Sequence, residues 1–311
     1  MSKAMVTVTV NPAIDGASDA GRVLPTRKIR TGNERFAPGG GGINVARVLA
    51  RLGDPACAVY LAGGATGALL DALVEREGIG HHSLAIAGDT RISHTVYERA
   101  TGHEFRFVPE GPEVREAEWQ ALLAALAARP FDILIASGSL SPGMPDDFHA
   151  RLIPLAQARG ARLVLDSSGP ALAQAVRAGG LWMIKPSHGE FEALIGRRCA
   201  LPDAIGEAAQ ALVRQGAAEI AVVSLGYEGA VYADCDGYVH RAPPDVRVHS
   251  AVGAGDSFVG GMVHRLAQGW PPRRAFLYGM AAGTAAVLTP GTELCRPEDV
   301  ERLFVWMESG G

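Results

Sequence analysis

Ser250-Ala251-Val252-Gly253-Ala254-Gly255-Asp256-Ser257-Phe258, followed by a helical run to Gln268, is the stretch on which the reading of this chain turns. The small residues at 253–255 let the backbone turn tightly just where a helix begins, so that successive N–H groups can point at one anion. Asp256 places a carboxylate beside that seat. A bound phosphate repels a carboxylate, so the pairing serves binding alone poorly. It makes good sense if Asp256 must take the proton of an attacking hydroxyl, as a general base. A plain loop in which Asp256 caps the helix fits the same residues, and the rest of the chain has to decide between the two.

Working outward, the 311 residues are 48% hydrophobic, enough for one large core and a small extra lobe. A formal net charge of -4 gives no global attraction to nucleic acid or to an anionic membrane, so neither is expected as a partner. No apolar run approaches the roughly 20 residues of a membrane span, and the opening stretch alternates like a strand rather than a signal; a cytoplasmic protein is expected. Cys57, Cys199, Cys235 and Cys295 are scattered without paired spacing, which suits free thiols.

Met5 to Val10 reads as a core strand ending at Asn11-Pro12, with Asp15 just beyond, where open α/β sheets bind ligands. The polar segment from 15 to 37, carrying Arg27, Lys28 and Arg30, looks like an excursion from the core. Pro38-Gly39-Gly40-Gly41-Gly42-Ile43-Asn44 enters a helix stopped by Gly53, and such a glycine run points to close backbone approach to a ligand or another segment. A strand over 56–61 and a helix over 68–77 follow. The β-like stretches 82–87, 90–99 and 104–108 are expected to join the excursion in one small sheet.

From 113 the pattern alternates: helices 114–128, 146–158, 170–178 and 203–215 with strands 131–136, 161–165, 181–184 and 219–224, then a hairpin over 229–241. This predicts a parallel sheet with helices on both faces. Two apolar helices, 256–268 and 273–288, are expected to close the chain. No linker or repeat divides it, so 1–311 is expected to form a single domain.

A parallel sheet collects the carboxyl ends of its strands along one edge, so candidate ligand groups are Asp15, Ser139, Lys185, Glu190, Ser224, Gly226 and Asp256. Lys185 can reach a phosphate or snorkel to solvent. Glu190 can hold Mg²⁺ through water or close a capping box. Ser139 sits in a turn of ordinary loop chemistry, and Ser224 to Gly229 is a strand and glycine turn able to pass under a nucleotide. Lys28, Arg30 and Arg91, with Arg106 more weakly, can line a phosphate pocket from the excursion or form a solvated face.

Taken together, Asn11-Pro12-x-x-Asp15, the run from Gly39 to Ala46 and Val252-Gly253-Ala254-Gly255-Asp256-Ser257 resemble the ribokinase-like (PfkB) family of sugar kinases nearly end to end. Gly63-Gly64-Ala65-Thr66-Gly67, Leu165-Asp166-Ser167-Ser168-Gly169 and Gly291-Thr292 bring it nearest to the minor-type 6-phosphofructokinase branch. The resemblance implies a doubly wound, mostly parallel sheet with a small β lid, here about 16–37 and 84–108, through which subunits commonly form a homodimer. It also implies that Asp15, Gly40, Gly41, Asn44 and Ser139 contact the sugar, that Arg91 pairs with its phosphate, and that Lys28 and Arg30 complete the pocket, from the same or the neighbouring subunit. Asp256 becomes the base and Gly253, Ala254 and Gly255 the anion hole. Lys185, Ser187, Ser224, Gly226 and Gly229 serve ATP, Glu190 serves Mg²⁺ through water, and a monovalent cation such as K⁺ lies near Ser250 and Val252.

Three departures from the family pattern bear on these roles. Ser187 stands where an asparagine is usual in Asn-x-x-Glu, Ala251 where threonine is usual, and Glu293 where a basic residue is usual, so metal and cation use are in question. Gly41 stands where fructose-1-phosphate and tagatose-6-phosphate kinases usually carry lysine. Fructose 6-phosphate is therefore the first expected substrate, giving fructose 1,6-bisphosphate. Tagatose-6-phosphate or fructose-1-phosphate kinase, or a catalytically weak sensor of sugar phosphate and ATP, are the alternatives.

Overall fold

The computed structural model describes residues 3–310. Strand β1 (Met5–Thr9) leads into β2 (Ala13–Ala20) and β3 (Thr31–Gly39), then α1 (Gly41–Arg51), β4 (Cys57–Ala62), α2 (Gly64–Arg76) and β5 (His81–Ala85). Next come β6 (Arg91–Glu98), β7 (Glu104–Phe107), α3 (Glu116–Ala128), β8 (Ile133–Ser137), α4 (Leu152–Gln157), β9 (Arg162–Asp166), α5 (Gly169–Ala178), β10 (Leu181–Ile184) and α6 (His188–Ile195). The chain continues through α7 (Pro202–Arg214), β11 (Ala218–Ser224), β12 (Ala230–Asp234), β13 (Gly237–Arg241), α8 (Ala254–Ala267), α9 (Pro272–Ala286) and α10 (Pro297–Glu308).

Nine strands form the large sheet in the order β13-β12-β11-β10-β9-β8-β1-β4-β5. Its pairings are parallel from β11 to β5, and only the β12–β13 edge runs antiparallel. Strand alternation sends Val6 and Val8 into a core with Leu134, Leu165 and Phe148, and Met5 into a second core with Ile43, Val259 and Phe276 on the opposite face. Both faces are covered, as a parallel sheet requires.

A second sheet of four strands, β3-β2-β6-β7, stands apart as the lid. Three expectations are corrected. Of the expected lid segment 84–108, β6 and β7 enter the lid but its start does not: β5 pairs in parallel with β4 at the edge of the large sheet, because it follows α2 as the return strand of a β–α–β unit. The helix expected over 146–158 is helical only from Leu152, after a run of turns. The chain does not close with the helix at 272–286, because α10 follows and packs Val300, Leu303 and Phe304 against it.

Candidate active site

The carboxyl ends of β8 and β9 open into a cavity of about 270 Å³ roofed by lid strands. Asp15, Gly40, Gly41, Asn44, Arg91, Ser139, Glu190, Val252, Gly253 and Asp256 line it, together with Ser93, Arg106, Ser137 and Asp166. Adjacency in the sheet places Ser137 opposite Asp166 across the β8–β9 pair.

Two helices aim their amino termini into this cavity. The first turn of α1 approaches β1 and β8 so closely that a Cβ on Gly41 would stand 2.2 Å from the Ser137 hydroxyl and one on Gly42 2.5 Å from that of Thr9. Thr9 Oγ1 in turn accepts from the Ile43 N–H at 2.9 Å, a cap supplied from another element. The glycine run thus admits neighbouring backbone. Helix α8 starts from Gly253 in a left-handed conformation with φ 74°, and its first intrahelical bond is Ser257 N–H to the Gly253 carbonyl. The N–H groups of Gly255 and Asp256 therefore have no helical partner, at the end of α8 whose Gly253 and Asp256 line the cavity.

Asp256 accepts a 2.9 Å hydrogen bond from Asn44 Nδ2, which joins the first turns of α8 and α1. Burial and the neighbouring charge of Asp166 push its pKa up to about 7, against the opposing pull of Asn44 and Lys185. Lys185 is itself buried, 3.2 Å from Asp166, and its ammonium lies 3.4 Å from where a Gly255 Cβ would be. Burial likewise raises Asp166, with Lys185 holding it down and Glu190 adding to the rise. The result is a carboxyl at the mouth of a helix whose pKa is raised toward neutrality, with the Lys185 ammonium paired to its neighbour Asp166.

On the lid side, Asp15 accepts from the Ser93 hydroxyl and is raised by burial, opposed by Arg47, Arg106 and Arg91. Arg91 donates to the carbonyls of Pro109 and Asn11, both at 2.8 Å, while its Nε is buried without a partner. Asn11 reaches Ser139 Oγ at 3.4 Å.

Other predicted residues lie elsewhere. Lys28 and Arg30 are exposed in the β2–β3 connection and do not line the cavity of their own chain. Ser187 caps α6 in a reciprocal box with Glu190, so the capping reading of Glu190 holds while its residue still lines the cavity. Ser224, Gly226 and Gly229 lie outside the cavity; Gly229 is fixed by its own hairpin, since a Cβ there would stand 2.0 Å from the Arg241 carbonyl. Ser250 is buried, donates to Glu104 of the lid at 3.1 Å and accepts from the Val252 N–H at 3.2 Å. Glu293 pairs with Arg35 of β3 at 3.2 Å.

Sequence reasoning left Asp166 without a role and passed over Ser93. Asp166 directly follows the strand predicted over 161–165 and obeys the same edge rule that selected the other candidates. Ser93 carries no such signal, because only lid pairing sets β6 beside β2, with Ser93 opposite Asp15. No helix among the described residues is long and apolar enough to cross a membrane.

Comparison with known proteins agrees with this geometry. The chain is 39% identical over 302 residues to the ATP-dependent 6-phosphofructokinase isozyme 2 of Escherichia coli (strain K12), covering 97% of this chain and 98% of that one. It is 38% identical to the Mycobacterium tuberculosis protein of the same name, covering 96% and 88%. The crystal structure of phosphofructokinase-2 from Escherichia coli with substrates and products superposes with a TM-score of 0.94 at 38% identity, covering 98% of this chain and 99% of that one. That relative has also been solved with potassium and in a tetrameric inhibited form. Residues 9–299 match the pfkB family carbohydrate kinase profile. With that match over nearly its whole length, and with a half-buried carboxylate at a helix amino terminus facing a lidded cavity, the chain belongs to the pfkB carbohydrate kinase family.

Proposed function

We propose that this protein transfers the γ-phosphoryl group of ATP to fructose 6-phosphate, giving fructose 1,6-bisphosphate and ADP. The observation that carries the reading is Asp256, hydrogen-bonded to Asn44 on the cavity side and raised to about 7. Asp15 and Asn44 hold the sugar hydroxyls, while Arg91 and Arg106 meet the sugar phosphate. Asp256 takes the proton of the attacking hydroxyl as its oxygen bonds the γ-phosphorus and the bond to the ADP oxygen breaks. The N–H groups of Gly255 and Asp256 receive the charge on the transferring group, and Lys185 neutralises it.

No cluster of three or more His, Cys, Asp or Glu able to cage a metal exists among the described residues. Mg²⁺ nonetheless fits, since it is usually held by one or two carboxylates plus substrate phosphates and water; Asp166 and Glu190 are the residues for it, and it would supply charge neutralisation on those phosphates. For K⁺, the loop at Ser250 and Val252 has the Glu104 carboxylate beside it as a countercharge.

The lid leaves Phe36, Ile92, Tyr97 and Phe107 exposed, Phe107 by 58%. Such a face supports a homodimer through the lid, which would bring the partner's loop toward the pocket and give Lys28 and Arg30 a role there. A cytoplasmic location is in keeping with this chemistry. The deciding experiment is ADP release from MgATP across fructose 6-phosphate, tagatose 6-phosphate, fructose 1-phosphate, fructose and adenosine. Turnover confined to fructose 6-phosphate is expected; preference for a neutral sugar or nucleoside refutes the phosphate pocket, and binding without ADP release refutes the kinase.

A further inference from the structure

Behind the reacting carboxyl, α1 carries a buried guanidinium that none of the steps above uses. Arg47 is 3% exposed and follows Asn44 by three residues on one face of α1. Its Nη1 donates to Asn44 Oδ1 and to the Pro38 carbonyl, both at 3.1 Å, and its Nη2 donates to Glu77 at 3.1 Å. Arg51 holds the other Glu77 oxygen at 3.6 Å. An aliphatic residue would fill this side of α1 without the cost of burying a charge, so the arginine calls for a polar explanation.

The polarity of the chain supplies one. A guanidinium has donors only, so it accepts no group but the carbonyl end of the Asn44 amide. With Oδ1 turned to Arg47, Nδ2 is turned to Asp256, where it donates at 2.9 Å. A flipped amide would set donors against Arg47 and an oxygen against the Asp256 carboxylate. Pro38 is the penultimate residue of lid strand β3, so the same guanidinium also grips the point where the lid leaves the body.

We propose that Arg47 is a positioning residue for phosphoryl transfer: it locks the Asn44 amide so that it donates to the base Asp256, and ties that lock to the root of the lid. The inference rests on the kinase reading above. The groups facing Asp256 are Asn44 from α1, Asp15 from β2, Asp166 and Lys185 at the ends of β9 and β10, and Glu190 from α6. Arg47 itself faces Glu77, Arg51 and Asp15. Once the amide is free to turn, the carboxylate loses its donor and holds its proton to higher pH, so activity on the acid side is lost first.

The test compares Arg47→Gln, Arg47→Lys and Glu77→Gln, alone and in an Asn44→Ala background, by the pH dependence of kcat/KM for fructose 6-phosphate. For Arg47→Gln the acid limb is expected to rise by about one pH unit, with a roughly tenfold loss at pH 6 and less than about threefold at pH 9. The KM for ATP stays unchanged. Arg47→Lys, which keeps the charge but not the fork, is shifted less, and Glu77→Gln less again in the same direction. In the Asn44→Ala background Arg47→Gln moves the acid limb no further, because its effect on Asp256 passes through the Asn44 amide.

Losses that multiply in that background, or a uniform fall in activity with an unmoved limb, overturn the proposal. If Arg47→Gln does not fold, the Lys and Glu77 variants decide the matter. Should the unaltered protein turn nothing over, the kinase reading fails by itself. The Asp256 carboxyl band, isolated by infrared difference against Asp256→Asn, must still titrate higher in Arg47→Lys, and an unmoved band sinks the inference.

Discussion

Replacing Asp256 by asparagine should abolish turnover and stabilise the fold at the same time. The amide oxygen of the substitute can still accept from Asn44 Nδ2, so the joint between α1 and α8 is kept. What disappears is a proton acceptor and a charge. General-base assistance is worth roughly 10² to 10⁴ in rate, so ADP release should fall by at least about a hundredfold.

The charge works the other way on stability. Asp256 titrates near 7 in the fold against an ordinary 3.8, so the folded protein binds this proton more tightly than the unfolded chain does. Stability is therefore undiminished below about pH 4, falls as pH rises between the two values, and is lowest above 7. The difference corresponds to roughly 2 to 4 kcal/mol at pH 8, or an unfolding midpoint about 3 to 6 °C higher for the variant, allowing for relief already provided by Lys185. Thermal unfolding at pH 8 and pH 4.5, alongside ADP release, checks both halves. An Asp256→Asn protein that keeps a tenth of its activity removes the base. One less stable at pH 8 removes the electrostatic strain assigned to this carboxyl.

Lys185→Met should cost about 3 to 5 kcal/mol in urea unfolding, because it leaves Asp166 buried without its cation, and adding Asp166→Asn should restore most of the loss. Gly253→Ala forces a side chain into φ 74° with its Cβ 2.4 Å from Leu294 Cδ2. That strain is worth roughly 1 to 3 kcal/mol and tilts the α8 N–H groups, so kcat should drop by more than the KM for the sugar changes in steady-state assays. Glu190→Gln keeps an acceptor for the Ser187 N–H and should cost under about 1 kcal/mol, the value of a charge at a helix start. A Mg²⁺ titration of its activity should nevertheless be displaced to higher concentration; an unshifted curve leaves Glu190 only as a cap.

Alternation of apolar runs is enough to predict the parallel sheet, and of the residues that its edge rule selects, Asp15, Ser139, Glu190 and Asp256 line the cavity while Lys185, Ser224 and Gly226 do not. The signal is local: periodicity, glycine turns and strand ends are all written in contiguous residues. It failed where partners are distant. The segment 82–87 has the same β character whether it joins the lid or the edge of the large sheet, and only the α2 crossover assigns it to the latter. The final helix escapes the apolar pattern, which points to closure at 273–288, although Pro297 and two acidic residues mark its first turn.

The sequence by itself therefore determined the class of fold, the helix mouth at 253–256 and the presence of a carboxylate there. Only tertiary structure decided what that carboxylate can do. Its proton affinity depends on Asp166, Lys185 and Asn44, which approach it from β9, the end of β10 and α1, and on its partial burial. Likewise it is packing that turns Ser187 into a cap, leaves Lys28 and Arg30 outside the cavity and makes Arg47 the partner of Asn44. Electrostatic energies vary with separation and burial, and neither quantity exists along a chain until its distant segments have been brought together.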